Sequence, residues 1–170
     1  MICDIIISNQ LDIFAITETW LHSETNNVAI VEILNTLPDF TVFHIPRPDK
    51  KGGGTALFVR TSFNITKNQT PTFISFEHID ITPTYKNFNF RLVVIYRPQP
   101  STKNKLTTAK FFIEFARLTE NLKNCNSPLP ITGDFNFHLD NNDKADAGNF
   151  LDFLSWISKY DSTCHWLNPL

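Results

Sequence analysis

A layered domain that mixes sheet and helix, α/β or α+β, is what this sequence predicts, and three observations carry the prediction. Short apolar runs alternate with stretches of helical spacing toward both ends of the chain. The middle, residues 40–97, holds only strand-like runs, parted by turns that contain Pro and Gly. Some of those runs are apolar throughout and others alternate, the pattern of sheets covered by helices. The 170 residues suffice for one domain with a substantial core and are too few for two. With 42% hydrophobic and 13% aromatic residues, sixteen Phe among them, the composition lies far from that of disordered chains.

Taken in order, Ile2, Ile5 and Ile6 followed by Asn9 read as the tail of an amphipathic helix that ends at Asn9 or Gln10. The chain is therefore expected to begin inside an element. Residues 11–17 form a buried strand, and Val28, Val31, Leu34 and Leu37 recur at helical spacing until Pro38 stops them. Strands follow at 40–45, at 55–60, at an alternating 76–81 and at 90–96. Phe111, Phe115, Leu118 and Leu122 restore the helical period, which breaks over 124–130 before the strand 129–132. A last helix over 145–159 turns Phe150, Leu151, Leu154 and Ile157 inward. No repeat, low-complexity segment or linker divides the chain, so residues 1–170 are one unit.

The net charge of −2 excludes a protein that grips nucleic acid through a broad basic face. Any such contact is local. Cys3, Cys125 and Cys164 are widely spaced and form no CxxC pair, which excludes a disulfide framework or a zinc site. A reducing, intracellular compartment, cytoplasm or nucleus, fits best. The apolar opening is interrupted by Asp4, lacks a basic flank and is too short to span a bilayer, so neither a signal nor a membrane anchor is read. The sequons at Asn64 and Asn68 read as a polar loop.

Chemistry is concentrated at strand ends. Gly133-Asp134-Phe135-Asn136 closes the run 129–132 and sets a carboxylate and a carboxamide two residues apart, able to face one ligand. Gly133 allows close approach, and hard oxygen ligands suit Mg²⁺ or Mn²⁺. A turn with its own local hydrogen bonds is the other reading of the same residues. Glu18 follows the apolar run 13–16 directly, and Tyr96, before Arg97, ends a third strand with a phenol able to donate to a phosphate oxygen. Taken singly, Glu18 reads equally as a solvated loop acid and Tyr96 as a residue of the core's edge. In covered sheets, ligands bind beyond the carboxyl ends of strands, so groups distant in sequence can converge there.

Four segments together, Ile16-Thr17-Glu18-Thr19-Trp20-Leu21, Gly52-Gly53-Gly54-Thr55-Ala56, Val94-Ile95-Tyr96-Arg97-Pro98 and Gly133-Asp134-Phe135-Asn136, resemble the endonuclease/exonuclease/phosphatase superfamily in order and interval. The similarity is greatest to the apurinic-like endonuclease domain of non-LTR (LINE, jockey-type) retrotransposon polyproteins. The resemblance implies a four-layer α/β sandwich, two mixed sheets face to face with helices outside. It also implies a Mg²⁺- or Mn²⁺-dependent enzyme that nicks target DNA to expose a 3′-hydroxyl for reverse transcription. Its partners would be the DNA phosphate backbone and a reverse transcriptase domain in a longer parent polyprotein. Carried over by position, Glu18 and Asp134 serve the metal, and Asp134 holds or activates the attacking water. Tyr96 and Asn136 bind and orient the scissile phosphate, and Arg97 belongs to the substrate-binding set.

Departures from the family pattern accompany the matches. Members begin with a strand bearing an Asn near the metal and end with motifs whose Asp and His complete the site. This sequence is expected to lack both, to be incomplete as a sandwich and to have little activity as it stands. His165 does not replace the missing His and reads as a loop residue after the last helix. A phosphatase or phosphodiesterase of the same superfamily, and a non-catalytic binding remnant, are the alternative functions. Residues 140–145 fail as a calcium loop, and Asp143 or Asp146 is expected as a helix N-cap. The glycines 52–54 after Arg47, Lys50 and Lys51 read as a turn into a strand or a DNA-backbone contact. Lys103, Lys105 and Lys110 read as a solvated face or a further DNA contact.

Overall fold

The computed structural model describes residues 2–21, 27–46, 52–101, 104–137, 145–160 and 164–166, without the side chains of 145, 156–160 and 164–166. Its elements are α1 (Ile2–Ser8), β1 (Ile13–Thr17), α2 (Val28–Thr36), β2 (Phe40–Ile45), β3 (Thr55–Arg60), β4 (Asn64–Lys67), β5 (Glu77–Tyr85), β6 (Phe88–Asn89), β7 (Leu92–Tyr96), α3 (Thr108–Leu122), β8 (Leu129–Asp134), α4 (Ala145–Tyr160) and β9 (Cys164–Trp166).

The strands make two sheets. The smaller has the order β1-β3-β2 and is antiparallel. The larger runs β4-β5-β7-β8-β9, with β6 paired to β5, and is mixed: β7, β8 and β9 are parallel to one another and the other pairs are antiparallel. Because successive side chains of a strand point to opposite faces, β3 and β7 serve two cores each. Leu57 and Val59 of β3 meet Ile79, Ile81, Leu92 and Val94 between the sheets. Ala56 and Phe58 point the other way, to Ile6, Leu37 and Phe40 beneath the two N-terminal helices. Val93 and Ile95 of β7 pack with Phe111, Phe115, Leu118, Leu122 and Phe150 of α3 and α4. Helix, sheet, sheet, helix is thus the order of layers. Doubly covered strands need apolar residues at every position, which is why these two read as continuous apolar runs.

Several expected elements are adjusted. In α2 the inward stripe is Ile30, Ile33, Leu34 and Leu37, while Val28 and Val31 are exposed. That helix carries two overlapping apolar stripes, and the one that faces the sheet wins. In α1, Ile6 is buried and Ile5 exposed. In α4, Phe150 is buried and Phe153 and Leu154 pack on the core, while Leu151 is exposed. Asn64 to Lys67, expected as polar loop, is strand β4, registered on Pro83 and its neighbours. Only Ile65 of it packs on a core, so its sequence lacks an apolar signature. Asn68 is held by Asp80 and Thr82. His165 lies in β9 rather than a loop, its backbone paired with Pro130. Asp146 is the second residue of α4 and accepts a bond from Thr108 instead of capping the helix. Residues 47–51, Lys103, residues 140–144 and the side chains of Ile157, Cys164 and His165 lie outside the described residues. Among those described, Cys3 and Cys125 are free thiols, and no helix is long and apolar enough to cross a membrane.

A carboxylate fastens the segment before β5 onto α3. Glu114 Oε2 accepts from Ile74 N (3.0 Å), Ser75 N (2.8 Å) and Ser75 Oγ (2.6 Å). Burial would raise its pKa, but these bonds hold the carboxyl below the ordinary carboxylate range. Glu114→Gln is expected to cost about 1–2 kcal/mol at neutral pH, because charge-assisted bonds become neutral ones. With the folded pKa below the unfolded one, this stability is complete above the unfolded value and lost as pH falls through the folded one. Urea midpoints of parent and variant should therefore converge in acid and differ at neutral pH.

Candidate active site

The two sheets present their strand ends on the same side of the molecule. In the larger sheet, Glu77, Tyr96 and Asp134 are neighbours in register across β5, β7 and β8. Glu77 and Tyr96 are in step with Ile79, Ile81, Leu92 and Val94, which face the other sheet. Asp134 is out of step with Leu129 and Ile131, which face the helices, so it too looks between the sheets. In the smaller sheet the matching row is Thr17, Thr55 and Ile45.

Polar bonds join the rows where the apolar layer ends. The Tyr96 hydroxyl donates to Glu18 Oε1 in a short bond from sheet to sheet. Gly54 N donates to Glu77 Oε2 at 3.1 Å, and Thr55 Oγ1 to the same oxygen at 3.4 Å. Glu18 Oε2 accepts from Gly53 N at 2.7 Å and from Trp20 Nε1 at 3.0 Å. The chain leaving β1 is strapped to the glycine turn by Thr19 N to Gly54 O and Trp20 N to Gly53 O. Glu18 and Trp20 take φ of +56° and +58°, a region L-residues seldom adopt and one that collects at ligand sites. A Cβ on Gly54 would press on Thr19 Oγ1 at 2.5 Å, so close strapping requires that glycine.

Asp134 and Asn136 combine both readings of their motif. The Asn136 backbone N donates to Asp134 Oδ1 at 2.9 Å, the local turn bond. The Asn136 amide donates to Arg97 O at 2.7 Å and to Asp134 Oδ2 at 3.3 Å. Both side chains are half-buried. Arg97, expected on the substrate, is instead 2% exposed. Its guanidinium donates to the carbonyls of Phe135 and Asn136 and to Thr108 Oγ1, and it stacks on Phe137 at 4.0 Å. Burial lowers its pKa and the charge of Asp146 opposes that; a guanidinium nevertheless stays cationic. Arg97 therefore holds the loop that carries Asn136.

Glu18, Tyr96, Asp134 and Asn136 are thus brought together at one end of the sandwich, with Arg97 behind them. Glu77 was not anticipated. Its signal was present in the alternation, since it falls in phase with the inward Ile79 and Ile81, where an apolar side chain belongs. It also lines a cavity of about 380 Å³ with His44, His78 and Phe73, which holds none of the other site residues. Among the described residues no three His, Cys, Asp or Glu side chains form a metal cage. Mg²⁺ does not need one: it is bound through one or two carboxylates and retains water. Glu18 and Asp134 carry hard oxygens, the ligand type that suits such an ion.

Solved structures show the same fold. An endonuclease/exonuclease/phosphatase family protein from Bacteroides thetaiotaomicron superposes with a TM-score of 0.61 at 18% identity, over 89% of this chain and 58% of that one. A truncated Caenorhabditis elegans TDP2 gives 0.59 at 14% identity, over 82% and 55%. The human Nocturnin catalytic domain with a bound sulfate anion gives 0.56 at 20% identity, over 88% and 59%. The chain therefore spans less than two thirds of each of these proteins. No curated protein matches it in sequence. The sequence pattern of the Endonuclease/Exonuclease/phosphatase family, however, matches residues 1–169, and the chain belongs to that family.

Proposed function

We propose that this chain is the phosphodiesterase portion of a Mg²⁺- or Mn²⁺-dependent DNA endonuclease of the retrotransposon type, which nicks target DNA and leaves a 3′-hydroxyl for an attached reverse transcriptase domain. The observation that carries the reading is the Tyr96 hydroxyl on Glu18, with Asp134 in register beside Tyr96. That three distant parts of the sequence bring a phenol, an amide and two carboxylates to one end of the sandwich supports the reading. Members of this family generally work with divalent metals, and the oxygen-rich donor set accords with that.

In this proposal the Tyr96 hydroxyl exchanges its bond to Glu18 for a phosphate oxygen. The Asn136 amide, fixed by Arg97 O, orients the same phosphate. Asp134 accepts a hydrogen bond from the attacking water and aims it. Glu18 and Asp134 would hold a divalent ion, which would supply Lewis-acid polarisation of the phosphoryl oxygen. Positioning and charge stabilisation are what the chain contributes, the usual division in phosphoryl transfer.

Plasmid nicking with Mg²⁺, followed as conversion of supercoiled to relaxed circles, tests this. A protein that extends this chain to the full length of its structural neighbours, of which it spans 58% in the first, is expected to cut. An extended protein that hydrolyses a sugar phosphate and leaves plasmid intact would place it with the phosphatases, such as the mannosyl-6-phosphatase among its structural neighbours. An extended protein inert on both would favour a binding module.

A further inference from the structure

Trp20 is a side chain at the site that the chemistry above leaves unused. Exposed apolar residues scattered singly need no explanation, and 61% exposure is not in itself unusual for one. What sets Trp20 apart is that it is exposed and fixed. Its Nε1 donates to Glu18 Oε2 at 3.0 Å. Its backbone N donates to Gly53 O at 2.8 Å. The indole lies over Gly52, where an added Cβ would stand 3.7 Å from the ring. Its backbone is held at φ +58°. A ring anchored at its edge and backbone, with much of its surface in water, is preorganised to receive something flat.

The charge of the chain narrows what that is. A net charge of −2 leaves little general attraction for a polyanion. Aromatic stacking supplies affinity for nucleic acid that does not depend on net charge and accepts any base. The indole is one hydrogen bond from Glu18, whose other oxygen takes the Tyr96 hydroxyl. The indole edge and the Tyr96 hydroxyl are thus separated by no more than two hydrogen bonds across one carboxylate, within the reach of a single nucleotide.

We propose that Trp20 is a nucleobase platform, on which an unpaired base stacks while the adjoining phosphate lies at Glu18 and Tyr96. The assignment rests on the phosphodiesterase reading and refines it: the preferred substrate exposes a base at the scissile position, as a single strand or a distorted duplex does. Stacking on one face is compatible with the Nε1 bond, because that bond lies in the plane of the ring.

Binding without metal separates this platform from catalysis. Fluorescence anisotropy in EDTA compares a labelled oligothymidylate with a strand of the same length made of abasic residues. Trp20→Ala is expected to weaken the oligothymidylate about five- to a hundredfold, and to leave the abasic strand unchanged. Trp20→Phe should retain most of the affinity for the base-bearing strand. Trp20→Leu, which keeps apolar bulk without an aromatic face, should behave as the alanine variant does and serves where alanine impairs folding, as judged by circular dichroism. Equal binding by parent, Trp20→Ala and Trp20→Leu would overturn the platform and leave the phosphodiesterase reading standing. Loss of both strands alike, in Trp20→Phe as well, would overturn it in favour of a positioning role through Glu18. Failure of the parent to bind the oligothymidylate would overturn the platform.

Discussion

Asp134→Asn, made in the extended protein, is expected to reduce DNA nicking about a thousandfold while leaving the fold intact, the scale seen when one preorganised electrostatic group is removed from a site. The substitution keeps an acceptor at Oδ1, so the bond from Asn136 N, 2.9 Å in the parent, has a partner to keep. What it removes is negative charge, together with the Oδ2 acceptor of the 3.3 Å bond from the Asn136 amide, and with the charge the ability to hold a divalent ion or to draw a proton from water. Asp134→Ala removes both charge and turn. Comparing the two by initial nicking rate and by urea midpoint divides the contributions: similar rates with unequal midpoints mean that charge carries the chemistry and the local bond carries the turn. An Asn variant that cuts at the parental rate would remove Asp134 from the reaction and reduce its motif to the turn it also forms.

That pairing of roles shows how far the site could be read from sequence. The position of Asp134 was legible because an apolar run of four residues announced the strand, and a carboxylate at its end had no place in the core. Glu18 and Tyr96 were legible in the same way, each at the end of a run too apolar to be anything but a buried strand. What a single sequence does not encode is which face each residue takes. Glu77 shows this best: the alternation puts it in phase with Ile79 and Ile81, but only the register of β5 against β7 sets it beside Tyr96. Arg97 shows the converse. An arginine next to a candidate phosphate ligand invites assignment to substrate, yet the apolar stack of Phe111 and Phe137 draws its guanidinium inward, 5.1 Å and 4.0 Å from the two rings, where backbone carbonyls meet its donors.

The fold was legible to the extent that burial is two-sided. β3 and β7 are covered on both faces and announce themselves. β4 lies at the sheet edge with one side chain in a core, and β6 has two residues, so neither imposes a pattern. Helix phase was the weaker inference in α2, because six of its first seven residues are Ala, Val, Ile or Leu and any of several faces could have been the buried one. Only the sheet beneath selects among them.

Gly133→Ala carries the largest stability effect expected in the molecule, and the reason lies one residue before Asp134. Gly133 sits at φ +137° in β8, in register with Ile95 of β7. A Cβ there would overlap the carbonyl oxygen of Ile95 and stand 2.7 Å and 2.8 Å from its C and N. Side chains can repack around an added methyl, and overpacking then costs about 1–3 kcal/mol. A neighbouring strand's backbone cannot, since moving it would part β7 from β8 and shift Tyr96 off Asp134. The cost is therefore expected at about 4 kcal/mol or more, the far end of single-substitution effects, against a total stability on the order of 5–15 kcal/mol. Gly148→Ala is the control: it lies in α4 with nothing within 4 Å of an added Cβ, and a helical Gly→Ala change is expected to stabilise by about 0.5–1 kcal/mol. Urea unfolding followed by circular dichroism should move the two midpoints in opposite directions. Equal midpoints would mean that β8 does not press on β7 at Gly133. The close approach that sets Asp134 beside Tyr96 would then be absent, and the site would lose the geometry on which its chemistry rests.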